Sequence, residues 1–147
     1  MEIVLYQPEI AGNVGAIIRL AANSGVSLNL IKPFGFDLQE NKIRRAGLDY
    51  HDLSNTKTYN SWDEFKEINN NKSICCLSSK GIDSYWDTNL NQYDFLLFGP
   101  ESIGLPDEII SNNKTITIPM KENSRSINLA NSVGIVVFES LRQASVQ

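Results

Sequence analysis

Residues 94–106 read DFLLFGPESIGLP, an apolar run that passes directly into a loop with two glycines, two prolines and one carboxylate. Asp94–Phe98 is nearly continuous in apolar side chains, which suits a strand covered on both faces of a parallel sheet. Gly99 and Gly104 let backbone approach a neighbour closely, while Pro100 and Pro106 fix the path of the chain. The loop matches neither G-x-G-x-x-G nor the phosphate loop G-x-x-x-x-G-K-[ST]. Two readings stay open: a tight strand-to-helix turn with Pro106 at the helix start, or a ligand-binding loop.

Working outward, short apolar strands alternate with helices along the chain. Glu2–Tyr6, Ser27–Ile31, Ser73–Leu77 and Thr115–Ile118 read as further strands. Asn13–Ser24 reads as a helix with Asn13 as N-cap and Gly25 as its stop; Val14, Ile18, Ala21 and Ala22 then share the face that packs on the sheet. Ser61–Asn69 reads as a helix opened by a serine cap, with Asp63 and Glu64 in its first turn. Shorter helices are expected over Asn41–Ala46 and from Pro106.

The last helix, Asn128–Gln143, is the most apolar. Leu129, Val133, Val136, Val137 and Leu141 form one stripe, and Ile135 and Phe138 widen it beyond what one sheet face needs. Such a helix is deeply buried or packed on a second subunit, and in a chain of 147 residues the expectation is a homodimer. The class is α/β, a mostly parallel sheet flanked by helices, in one domain over residues 1–147.

Composition narrows the function only a little. No apolar run reaches membrane-spanning length, and MEIVLYQPEI lacks the basic start and apolar core of a signal segment, so a cytoplasmic protein is expected. Cys75 and Cys76 are adjacent and His51 is the single histidine, which gives no zinc-knuckle spacing; no metal is expected, and both thiols suit a buried strand. The net charge of −4 argues against a protein that coats nucleic acid. A local basic surface is enough for phosphate binding, however, and Lys32, Lys42, Arg44 and Arg45 cluster in sequence, with Arg19, Lys121 and Arg125 elsewhere.

Ligands of parallel α/β sheets sit at the carboxyl ends of strands. Three loops here occupy such ends: Leu77–Gly81, Phe98–Pro106, and Ile118–Met120 running on to Ser124–Asn128. Ser124, Arg125, Ser126 and Asn128 crowd more polar groups before the last helix than capping alone requires.

Asn13-Val14-Gly15-Ala16-Ile17-Ile18-Arg19, then FGPESIGLP, then IPM with SRSINLANS resemble the three ordered motifs of the SPOUT superfamily of RNA methyltransferases. Arg44–His51 (RRAGLDYH) and the opening IVLYQPEI sharpen the likeness to its smallest members, which methylate the ribose 2′-hydroxyl of the tRNA wobble nucleotide. The resemblance runs from Glu2 to Gln143. It departs at Ala16, where the family often has a second asparagine, and at Ala11 and Gly12, where two prolines often stand.

That resemblance implies a C-terminal trefoil knot, a homodimer that completes the active site, and S-adenosylmethionine as methyl donor, with S-adenosylhomocysteine as product. It implies a donor pocket walled by Leu77, Gly99, Ile118 and Ser126, with Gly104, Leu105, Met120 and Asn128 close by. Arg19, Asn13 and Ser124 would serve the reacting end. Arginine is a poor general base, so Arg19 is expected to orient the substrate phosphate or to stabilise a developing alkoxide. Glu101 would order its loop through backbone N–H bonds. Lys42, Arg44, Arg45 and Arg125, helped by Lys32, would meet phosphates of the tRNA anticodon stem-loop, and Tyr50 or His51 would stack on an exposed base. Three alternatives stay open: a related enzyme acting on another tRNA or rRNA site, a non-catalytic RNA- or nucleotide-binding module, and, disfavoured by the missing G-x-G-x-x-G, a nicotinamide-dependent dehydrogenase.

Overall fold

The computed structural model describes residues 1–36 and 55–145; the expected helix at 41–46 lies outside them. Seven strands form one sheet: β1 (Glu2–Tyr6), β2 (Leu28–Ile31), β3 (Thr56–Tyr59), β4 (Ile74–Leu77), β5 (Asp83–Ser84), β6 (Phe95–Phe98) and β7 (Lys114–Thr117). Their order is β3-β2-β1-β6-β4-β7-β5, and each pairing among the described residues is parallel. All four residues of β2 and of β6 are buried, as their continuous apolar sequences require of strands covered on both sides.

The two edge strands escaped the sequence reading. β3 reads TKTY with its middle residues exposed, and β5 has two residues, so neither carries an apolar pattern. Polar and short strands are what a sheet edge tolerates best.

Among the described residues four α-helices cover the sheet: α1 (Ala11–Ser24), α2 (Trp62–Ile68), α3 (Asp107–Ser111) and α4 (Leu129–Ser145). On one face, Val14, Ile17 and Ile18 of α1 and Val133, Val136 and Val137 of α4 share a buried cluster with Ile3, Leu5 and Leu96. On the other, Phe65 of α2 and Ile109 of α3 pack with Val4, Ile31, Cys76 and Leu97. Each fully buried Ile or Leu here contributes on the order of 1.5–3 kcal/mol over leaving it in water. Cys75 and Cys76 point into opposite clusters by strand alternation, and burial pushes both thiols up to about 12, so neither is a thiolate near neutrality.

The caps follow expectation at three places and break it at one. Gly25 closes α1 in the left-handed region at φ 71°, its N–H reaching Ala21 and Ala22 carbonyls. Ser61 Oγ accepts from Glu64 N at 3.1 Å to open α2, and Pro106 stands just before α3. The cap of α1, however, is Ile10, and Asn13 lies within the first turn of the helix rather than ahead of it. Its side chain is spent elsewhere, as the site shows. On α4 the stripe Leu129, Val133, Val136 and Val137 is buried, whereas Ile135 is 37% and Phe138 58% exposed. No helix among the described residues is long and apolar enough to cross a membrane.

Candidate functional site

Strands β6, β4 and β7 are consecutive in the sheet, so the loops leaving their carboxyl ends converge. Together with the start of α1 they enclose a cavity of about 470 Å³, within the range of small-molecule sites. From the β4 loop comes Leu77; from the β6 loop come Gly99, Gly104 and Leu105; from the third segment come Ile118, Met120, Ser126 and Asn128. The eight positions expected around a methyl donor therefore line one space. Asn13 lines it as well.

Gly99 is where the chain folds back most tightly. A Cβ there would lie 2.5 Å from Leu105 N and 2.7 Å from Gly104 C, distances no real side chain accepts. Gly104 takes φ 71°, the left-handed region that favours glycine. The backbone itself thus forms part of the wall.

One wall is a ridge of side chains from three distant segments. Glu101 accepts hydrogen bonds from Glu9 N at 2.8 Å, Ile10 N at 3.2 Å and Asn13 Nδ2 at 2.9 Å. Asn13 Oδ1 in turn accepts from Asn128 Nδ2 at 2.9 Å. Asn128 Oδ1 accepts from Ala130 N at 2.9 Å and Asn131 N at 3.3 Å, capping α4. The carboxylate at one end and the orphan N–H groups at the other leave each amide only one orientation. This is why Asn13 is not the α1 cap, and why Asn128, not a serine, caps α4. Ser124 and Ser126 are exposed in the loop before it.

Glu9 closes the ridge in return, accepting from Ser102 Oγ at 2.7 Å and Ser102 N at 2.8 Å. The Ser102 hydroxyl, then its N–H, hold the Glu9 carboxyl below its ordinary value. Sequence reading missed Glu9, Ile10 and Ser102. Gln7, a non-glycine residue at φ 47°, turns the chain after β1 ahead of Glu9, a backbone feature that the sequence does not display. The opposite rim is held by Lys80 Nζ, which donates to Asp107 Oδ1 at 2.6 Å with both side chains largely exposed. The Lys80 hydrogen bond, then its charge, hold Asp107 below the usual carboxylate range.

Other expected residues fall elsewhere. Arg19 is exposed on α1 and absent from the cavity lining, six residues or about 9 Å along the axis from Asn13. Ser124 and Arg125 are exposed and also off the lining. Lys32 is exposed, its Nζ donating to Asn60 Oδ1 at 3.3 Å. Lys42, Arg44, Arg45, Tyr50 and His51 lie outside the described residues. Chemically, the cavity offers apolar walls from Leu77, Leu105 and Ile118 and backbone polar edges beside Gly99, a combination suited to a flat heterocycle with a polar rim.

Comparison with known proteins identifies the family. The model of the SpoU rRNA Methylase family matches residues 1–138. The tRNA (cytidine(34)-2′-O)-methyltransferase of Saccharophagus degradans is 43% identical over 144 residues, covering 96% of this chain and 94% of the relative. The enzyme of that name from Escherichia coli (strain K12) is 42% identical over 146 residues, covering 97% and 93%. A solved structure described as giving structural insights into the 2-OH methylation of C/U34 on tRNA superposes with a TM-score of 0.92 at 40% identity, covering 99% of this chain and 97% of the other.

Proposed function

The chain belongs to the SpoU rRNA methylase family, and from that premise we propose that it methylates the ribose 2′-hydroxyl of the wobble cytidine or uridine of tRNA, with S-adenosylmethionine as donor. The observation that carries the reading is the cavity itself. Three separate loops meet there, and the eight positions named for a methyl donor line it. The residues fit such a donor: a space of about 470 Å³, apolar walls, and a backbone at Gly99 that a Cβ would block.

The sulfonium donor supplies an activated methyl and leaves as a neutral thioether, so the protein needs to align the ribose oxygen and help its proton leave. Asn13 has both amide atoms engaged and serves by holding the wall. Arg19 suits the substrate phosphate or the developing alkoxide, and Ser124 is assigned to the same reacting end. Because Arg19 is off the lining of its own chain's cavity, the reading takes the working form to be a homodimer in which Arg19 of a second copy reaches the site. The exposed Ile135 and Phe138 on α4 support an apolar contact of that kind. Lys42, Arg44, Arg45, Arg125, Tyr50 and His51 are assigned to the tRNA anticodon stem-loop, and the reading takes the chain to be a single methyltransferase domain working in the cytoplasm. The knotted path follows from family membership.

The test incubates the purified protein with methyl-labelled donor and tRNA, then maps 2′-O-methyl sites by nucleotide. Label at the wobble ribose, lost in Arg19→Ala, is the expected result. Label confined to another tRNA or rRNA position overturns the substrate assignment, and donor binding without transfer to any RNA overturns the enzymatic one.

A further inference from the structure

Among the described residues, two charged side chains line the cavity, Lys80 and Glu101. They are held differently. Lys80 is matched by Asp107, a carboxylate outside the lining. Glu101 has no lysine or arginine paired with it among the described residues. It accepts three N–H bonds and donates none, which is the pattern of an ionised carboxylate. Directly behind it stands Glu9, whose carboxylate is kept anionic by Ser102. The first N–H groups of α4 do not offset these charges freely, since Asn128 already takes two of them. Within one chain's described residues the ridge therefore presents net negative charge to the cavity, and neutral hydrogen-bond donors orient that charge without cancelling it.

The methyl donor and its product differ by one methyl and one charge. When the methyl moves to the ribose oxygen, the C–S electron pair stays on sulfur and the ribose proton leaves to solvent. The donor's positive charge then disappears. We propose that Glu101, backed by Glu9, makes this pocket discriminate the cationic donor from its neutral product, favouring product exchange after each turnover. This rests on the donor reading above. A unit charge even about 12 Å away, at an effective dielectric near 20, is enough for a change of about ten-fold in affinity.

The test is calorimetric titration of the full chain with S-adenosylmethionine, S-adenosylhomocysteine, and an analogue carrying an ammonium group in place of the methylated sulfonium. Glu101→Gln is expected to weaken the two cationic ligands about ten-fold more than the neutral one. Glu9→Gln should do the same by about three-fold. Ser102→Ala, which loosens the ridge and keeps both charges, should change all three ligands alike. If Glu101→Gln loses its cooperative thermal transition, Glu9→Gln, at a half-buried position outside the cavity lining, decides. Parallel weakening of cationic and neutral ligands in the glutamine variants overturns the inference and leaves the functional reading intact. A wild-type chain that binds none of the three overturns the functional reading and this inference with it.

Discussion

The two sides of the cavity are fastened by different physics. On the inner side, Glu101, Asn13 and Asn128 join the β1–α1 turn, the β6 loop and the start of α4 through part-buried hydrogen bonds spanning 88 to 115 residues of chain. On the outer side, Lys80 and Asp107 meet in one ion pair between side chains 60% and 85% exposed. Exposed pairs are screened by water and salt and contribute little, whereas a partly shielded carboxylate with several donors holds geometry firmly. The cavity thus has a firmly held wall and a weakly held rim.

The heaviest blow to this contrast is Gly99→Ala. Its Cβ would drive into the Leu105 and Gly104 backbone, so the inner loop must move. A loss of roughly 1–3 kcal/mol of stability is expected, together with loss of measurable donor binding, by denaturant titration and calorimetry. Retained binding would mean that the loop does not need its tight fold. Next comes Asn128→Ala, which removes the α4 cap and strands Asn13 Oδ1. About 1 kcal/mol should go with the cap, and hydrogen exchange should quicken at Ala130 and Asn131; unchanged protection there would sink the relay. The mildest is Asp107→Asn, which should leave the melting temperature unmoved and speed donor entry in stopped-flow mixing. The Lys80 contact lowers the Asp107 carboxyl, so its contribution is present above the ordinary carboxylate value and fades as pH falls through the lowered one. Wild type and Asp107→Asn should therefore converge in donor-entry rate as pH falls through the lowered Asp107 value.

Legibility in sequence followed the range of each interaction. β6 and β2 were readable because burial on both faces forces consecutive apolar residues, a purely local mark. β3 and β5 were not, since edge strands are specified by a neighbour's free hydrogen bonds rather than by their own side chains. Asn13 was picked out as important, and of its expected roles the helix cap was wrong. An asparagine ahead of an apolar helix looks like a cap, and nothing nearby announces a carboxylate 88 residues away. Glu9 went unseen for the same reason, its partner Ser102 lying 93 residues downstream. The loops at the strand ends, in contrast, show their glycines and prolines openly, and these led to the cavity.

Cys75 and Cys76 give the molecule a pair of internal witnesses. One thiol is sealed in the layer under α1 and α4, the other in the layer under α2 and α3, and both are fully shielded. A thiol reagent can reach either one only after its own layer has parted from the sheet. The order in which the two neighbours are tagged, resolved by fragment mass, would therefore record which side of the protein opens first.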